Sequence, residues 1–331
     1  MDVAILKSTA KDMVANGKGI LAADESSKTI QKRFDKIGLE SNPDTNLAYR
    51  KILFTTPGIE NYLSGVILFD ETIRQEIEGK SVCEYLEGKG IIPGIKTDKG
   101  AIGMANFPGE KITEGLDGLR ERLEEYVRMG AKFAKWRMVV TVGERIPTET
   151  CLDANAEVLA RYSAITQNAG LVPIIEPEVI RDGDYDLQKG KEVTIATLKA
   201  VFERHKAHKV ALEGLILKPN MVTCGEDNPN QAAPEEVAKA TIEAYLESVP
   251  KEIPAIVFLS GGQSPDMATD NLNALCKSES PWPFSFSFSR ALQGEAMEIW
   301  AGKDENAQAA QKAFLERVKK VSDARSQKPA F

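Results

Sequence analysis

Residues 212–225 read "LEGLILKPNMVTCG". Leu215, Ile216 and Leu217 form an apolar centre, Lys218 follows directly, and Pro219 ends the run. A short apolar run bounded by turn residues predicts a strand buried on both faces. An ammonium group costs free energy to bury, so Lys218 must leave the core at water or at a partner. Pro219 has no N–H to give a neighbouring strand and marks the end of regular pairing.

Seven other stretches have the same form. They are "GKGILAAD" (17–24), "SGVILF" (64–69), "GIIPGIK" (90–96), "AKFAKWRMVV" (131–140), "LVPIIEPEV" (171–179), "AIVFLSGG" (255–262) and "FSFSFSR" (284–290). Each is too short for a helix and rich in Ile, Val, Leu or Phe. Helical patterns lie between them. "TIQKRFDKIG" places Ile30, Phe34 and Ile37 on one face, and "EGLDGLRERLEEYVRMG" does so with Leu116, Leu119, Leu123 and Val127. "PEEVAKATIEAYLESV" opens on Pro234, where a first-turn proline is tolerated, and repeats Val237, Thr241, Ala244 and Val249. "SPDMATDNLNALC" and "ENAQAAQKAFLERVKKV" close the series. Eight strands alternating with helices predict an α/β fold, a closed (β/α)8 TIM barrel. It is expected as a single domain over residues 1–331 with extra N- and C-terminal helices and a loosely held tail from about residue 322. A doubly wound open sheet would carry a G-x-G-x-x-G turn after an early strand, and none occurs.

The 331 residues, 42% hydrophobic and 27% charged, suffice for such a core. With a net charge of -7 the chain is poorly suited to nucleic acid. No apolar run approaches the roughly 18 residues of a membrane span. The start, "MDVAILKSTAKDMVANG", has no basic segment followed by a long apolar one. Four scattered cysteines without a C-x-x-C pair predict a reduced, cytoplasmic protein. His205 and His208 have no third Cys or His nearby and read as a solvated helix face rather than a zinc pair. No metal or other cofactor is expected, and proton transfers fall to carboxylates and lysines.

Charge gathers at the strand ends. Asp24 ends the first run, Lys96 the third, and Lys135 with Arg137 lie in the fourth. Glu176 and Glu178 end the fifth, Lys218 the sixth, Ser260 with Gly261 and Gly262 the seventh, and Arg290 the eighth. In a barrel these ends meet at one mouth. Side chains alternate with period two, so Lys135 shares a face with Arg137, Glu176 with Glu178, and Lys218 with Ile216. A lysine partly out of water and beside another cation has a lowered pKa and can attack a carbonyl. The resulting iminium is an electron sink that lets a neighbouring C–C bond break without a metal. Glu176, Glu178 and Asp24 are available for protons. The same residues would also make a purely structural ion pair. "LSGGQSPDMATDNL" puts two glycines before a helix start near Ser264 and Pro265, a layout that suits a phosphate. Lys96, Arg137 and Arg33 could serve a second anionic group.

The ordered set "GKGILAADESSKTIQKRF", "GVILFDETI", "GIKTDKG", "AKWRMVV", "IIEPEV", "ALEGLILKPNMVT" and "LSGGQS" closely resembles the class I fructose-bisphosphate aldolases. The resemblance runs from about Lys11 to about Lys319. It implies reversible cleavage of fructose 1,6-bisphosphate to dihydroxyacetone phosphate and glyceraldehyde 3-phosphate, in glycolysis and gluconeogenesis. It implies Lys218 as the Schiff-base residue and Glu176 as the main proton-transfer residue, with Glu178 in support. Lys135 would assist carbinolamine formation, and Asp24 would deprotonate the C4 hydroxyl. Ser260, Gly261, Gly262, Ser287, Ser289 and Arg290 match the C1-phosphate site, while Arg33, Ser26 and Lys96 match positions near the other phosphate. Arg137 matches a further active-site arginine. The resemblance also implies a cytoplasmic homotetramer whose partner is a small sugar phosphate. The sequence departs from the family in three places. It ends at Phe331 without the terminal tyrosine of many members, so proton exchange on the enamine is expected to be slower or to fall to another group. The usual "SYGR" reads "SFSR", with Phe288 and Ser289. Asn46 replaces a common arginine, which predicts different contacts to the second phosphate. A Schiff-base aldolase of other sugar specificity, or a barrel kept as a binding protein, would be told apart by the second phosphate site and by loss of Lys218, Glu176, Lys135 or Asp24.

Overall fold

In the computed structural model the eight runs form eight parallel strands. They are β1 (Gly19–Ala23), β2 (Leu63–Leu68), β3 (Ile92–Lys96), β4 (Phe133–Val140), β5 (Val172–Val179), β6 (Ile216–Leu217), β7 (Ile256–Phe258) and β8 (Phe284–Phe288). The structure describes residues 2–15 and 17–326. Each strand pairs with its neighbours in sequence, and β8 closes on β1 with Ile20 opposite Ser287. The expected (β/α)8 barrel is the fold. Around it lie α1 (Val3–Asp12), α2 (Ser27–Phe34), α3 (Pro43–Thr55), α4 (Val82–Gly88), α5 (Leu119–Arg128) and α6 (Glu149–Asn168). They are followed by α7 (Leu187–Ala207), α8 (Pro234–Ser248), α9 (Pro265–Lys277), α10 (Arg290–Trp300) and α11 (Ala307–Ser326).

Period-two alternation divides the core. Ile20, Ala22, Ile67, Phe133, Val172, Ile174, Ile216 and Val257 fill the barrel, and Leu6, Ala10 and Met13 of α1 pack onto the same cluster. The first helix thus plugs one end. The alternate residues, among them Trp136, Ile175, Leu217 and Phe258, face outward to the helices. Inside, Gly94 gives up its side chain to Phe133: a Cβ there would lie 2.2 Å from the ring.

Four local expectations are corrected. Val127 is exposed, and the buried stripe of α5 runs through Leu119, Leu123 and Tyr126, whose hydroxyl donates to Asp70 at 2.8 Å. The tail is held as far as Ser326. Ser322 and Ala324 are buried, and Arg325 donates to the carbonyls of Phe284, Val14 and Ala15. The expectation about a terminal tyrosine falls on residues 327–331, outside the described residues. β6 pairs only over Ile216 and Leu217, although the Lys218 N–H still donates to Ile175 at 2.8 Å. Finally, antiparallel hairpins at Glu76–Ile77 with Lys80–Ser81 and Gly100–Gly103 with Lys111–Glu114 were not foreseen. Most of their residues face water, so neither carries an apolar alternation.

Replacing Gly94→Ala overpacks the barrel interior and is expected to lower unfolding free energy by about 1–3 kcal/mol in denaturant titrations. A second change, Phe133→Leu, should recover part of that loss. If the two losses simply add, Phe133 is not what Gly94 makes room for.

Candidate active site

At the mouth the interior rows turn from apolar to ionic. Above Ala22 stands Asp24, above Phe133 stand Lys135 and Arg137, above Ile174 stand Glu176 and Glu178, and above Ile216 stands Lys218. The Lys135 Nζ lies 2.6 Å from Asp24 Oδ2 and 3.0 Å from Glu176 Oε2, and the Lys218 Nζ lies 2.9 Å from Glu176 Oε1. All four residues are buried. The resemblance implies that Lys135 lies near Lys218, and in the structure the Glu176 carboxylate pairs with both amines. Glu176 Oε2 is held by charge alone, because among the described residues no donor meets it in hydrogen-bond geometry.

Burial by itself would raise the pKa of both carboxyls. Lys135 and Lys218 outweigh it, holding Asp24 at about 2 and Glu176 below the ordinary glutamate value. Burial would likewise discharge Lys135, but Asp24 and Glu176 outweigh it and raise its pKa above the usual lysine value. At neutral pH Lys135 is therefore a fixed ammonium between two carboxylates.

Three of the rim cations, Arg137, Lys96 and Arg33, are already paired. Arg137 Nε lies 2.5 Å from Glu178 Oε2; burial opposes its charge, and Glu178 more than restores it. Lys96, read from the sequence as available to an anion, donates to Asp98 Oδ1 at 2.7 Å and to the Asp98 carbonyl at 2.6 Å. Arg33 turns inward, with Nη1 at 2.5 Å from Glu25 Oε1 and Nη2 donating to Ser289 Oγ at 3.0 Å. Gly261 and Gly262 have positive φ of 52° and 80°, backbone that a side chain would strain. Their turn is closed by the Gln263 N–H on the Ser260 carbonyl at 3.0 Å. α9 then begins at Pro265 as expected, and Ser264 caps it by accepting from the Met267 N–H at 3.2 Å. Arg290 opens α10 rather than closing β8, and it is exposed.

Every candidate residue lines one cavity of about 440 Å³. Asp24, Lys135, Glu176, Glu178 and Lys218 are joined there by Ser26, Arg33, Lys96 and Arg137, and by Ser260, Gly261, Gly262, Ser287, Ser289 and Arg290. An adjoining cavity of about 580 Å³ extends past Lys96 and Arg137 to Lys99, Lys111 and Arg181. Sequence reasoning missed Glu25, Thr29, Lys32 and Lys36, which also line the first cavity. The spacing of Thr29, Lys32 and Lys36 puts them on one helical face, a signal present in the sequence. Asn46 lies outside the cavity lining; it is buried, accepts from Ser41 Oγ at 3.0 Å and donates to Glu71 at 3.0 Å.

The histidines need one correction. His205 is fully buried, bonded to Ser163 Oγ at 2.9 Å and the Val201 carbonyl at 2.7 Å, and burial pushes its pKa down to about 4. It belongs to the packing between α6 and α7 rather than to a solvated face. His208 is partly exposed and meets Glu157 at 2.9 Å. Among the described residues no three His, Cys, Asp or Glu side chains stand where they could share a metal ion. No helix there is long and apolar enough to cross a membrane.

A parallel barrel with a buried amine, a carboxylate shared with a second ammonium, and a cationic rim has the layout of an enzyme for anionic carbonyl compounds. The family model "Fructose-bisphosphate aldolase class-I" matches residues 5–330. A probable class 1 fructose-bisphosphate aldolase of Xanthomonas campestris pv. campestris is 51% identical over 323 residues, covering 96% of each chain. A cytosolic fructose-bisphosphate aldolase of Arabidopsis thaliana is 51% identical over 322 residues, covering 96% of this chain and 90% of that protein. The crystal structure of Plasmodium falciparum fructose-bisphosphate aldolase, in complex with TRAP and a small-molecule inhibitor, superposes with a TM-score of 0.96 at 42% identity, covering 99% of this chain and 96% of that one. The chain belongs to the class I fructose-bisphosphate aldolase family.

Asp24 ties this site to stability. Its folded pKa of about 2 lies below the 3.8 of a free aspartate side chain. Its contribution is thus complete above pH 4 and is lost as pH falls toward 2, about 2 kcal/mol in all. In denaturant titrations at pH 5 and pH 2, the wild type should lose about that much more than Asp24→Asn. Equal losses in the two proteins would remove Asp24 from the ion chain.

Proposed function

We propose that Lys218 is the nucleophile through which this chain carries out its family's reaction, the reversible cleavage of fructose 1,6-bisphosphate to dihydroxyacetone phosphate and glyceraldehyde 3-phosphate. The observation that carries the assignment is the buried chain of contacts from Asp24 through Lys135 and Glu176 to Lys218 at the floor of a cation-rimmed cavity. Glu176 takes a proton from the Lys218 ammonium 2.9 Å away, freeing its lone pair to attack the C2 carbonyl. The carbinolamine forms, and Glu176 returns the proton to its hydroxyl. Water leaves, and the iminium remains on Nζ. Lys135 keeps Glu176 anionic whenever it is not carrying that proton. Asp24 accepts the C4 hydroxyl proton as the C3–C4 bond breaks, and the bonding electrons move into the iminium to give the enamine. Protonation of the enamine and hydrolysis release dihydroxyacetone phosphate and restore Lys218.

Asp24 is a weak base in the free site because Lys135 and Lys218 depress it. Cleavage discharges the iminium on Lys218, so one of those two cations disappears as the proton moves. The basicity of Asp24 rises in step with its task. Glu178 fixes Arg137 at the rim. Ser260, Gly261, Gly262, Ser287, Ser289 and Arg290 serve the C1 phosphate; Ser26, Lys96, Arg33 and Arg137 serve the other end. The proposal includes one domain over residues 1–331, a cytoplasmic setting, action in glycolysis and gluconeogenesis, and a homotetramer, which light scattering on the purified protein checks.

Borohydride reduction in the presence of dihydroxyacetone phosphate should leave a stable adduct on the Lys218 peptide, absent in Lys218→Ala, and cleavage should persist in a strong chelator. Glu176→Gln should lower kcat by about 10²–10⁴-fold. An adduct mapped to another lysine would sink the mechanism.

A further inference from the structure

Two helices open at the strand-7 and strand-8 side of the mouth, and each has a serine at its N-cap. Their serines behave differently. Ser264 caps α9 in the usual way, while Ser289 makes no cap bond to α10. The Ser289 hydroxyl instead donates to Glu25 Oε1 at 2.7 Å and accepts from Arg33 Nη2 at 3.0 Å and Gln293 Nε2 at 3.3 Å. A helix N-terminus presents donors and favours negative charge; here the side chain best placed to satisfy them is drawn away. A second feature points to the same spot. Ser287 Oγ, on a residue 1% exposed, has no protein partner and belongs to a side chain lining the same cavity.

We propose that Ser289 is a positioning residue whose hydroxyl is held by Glu25 and Arg33 off the N-terminus of α10, so that a substrate phosphate, rather than the serine, takes the amides there. This deepens the C1-phosphate assignment above and rests on it. Where the family's usual glycine has no hydroxyl to compete with the phosphate, a serine must be tethered. Glu25 and Arg33 supply the tether as a pair.

A mutant cycle read by inorganic phosphate competition against dihydroxyacetone phosphate tests it. In the wild type, Ser289→Ala should not tighten phosphate. In a Glu25→Ala/Arg33→Ala background the freed hydroxyl caps α10, and removing it by Ser289→Ala should tighten phosphate roughly five-fold, the equivalent of one N-cap. In that background the same change should lower Tm, because a cap is lost while affinity rises; a merely structural residue would not move the two in opposite directions. Deleting both members of the ion pair leaves no unpaired buried charge. Should that background fail to fold, Glu25→Met/Arg33→Met removes both hydrogen-bonding groups at nearly constant volume and replaces it. The same effect of Ser289→Ala in both backgrounds, with phosphate still competing, overturns this inference and spares the phosphate site. Phosphate that does not compete in the wild type overturns both.

Discussion

The Glu176 carboxylate, shared by two ammonium groups in a buried floor, is the contact on which the rest of the mouth depends. Such a cluster is a poor way to stabilise a fold, because removing four charges from water costs more than a packed apolar layer would. It is held together by strand geometry. Along β4 and β5 the register is unbroken for eight residues, with Arg137 opposite Glu176 and Val139 opposite Glu178. A slip of one residue would send every one of these side chains to the helical layer. The closed ring and the α1 plug fix that register from outside the site, which lets the site itself hold charge.

The rim is supported differently. Arg50, buried in α3, donates to the Glu25 carbonyl at 2.9 Å and meets Glu71 at 3.4 Å; Glu71 also accepts from Asn46. Burial lowers the pKa of Arg50, and Glu25 and Glu71 counter it. Glu25 is thus fixed through its backbone by α3 and through its side chain by Arg33. The departure at Asn46 falls in this support, behind the cavity wall.

The barrel was legible because burial on both faces leaves short apolar runs, and because a pleated strand announces which residues share a face. The candidate site was legible for the same reason: long charged groups at inward strand ends can converge only at the mouth. What escaped was pairing. Lys96 and Arg33 looked available to anions, yet Asp98 and Glu25 neutralise them through contacts that depend on turn geometry and on the placing of α2 beside β8. His205 looked solvated because its neighbours are charged, whereas its own position faces α6. The two hairpins left no signal, since strands that bury little carry little alternation.

Charge conservation ties these parts together. The proposed sequence starts from a neutral floor, with the carboxylates of Asp24 and Glu176 set against the Lys135 ammonium and the Lys218 ammonium that pairs with Glu176. In the proposed sequence the iminium keeps the positive charge on Lys218 Nζ, so the sum is unchanged when water leaves. Cleavage to the enamine erases that charge, and the proton taken by Asp24 erases a negative one in the same step. A site of low dielectric penalises any intermediate whose charge is not balanced nearby. An arrangement of two carboxylates and two amines, linked through one shared carboxylate, lets each proton move to a neighbour whose own charge has just become unfavourable. In that proposed sequence the buried lysine after "LIL" is tolerable in the core because Glu176 matches its charge, and cleavage removes the charge in the step that neutralises Asp24.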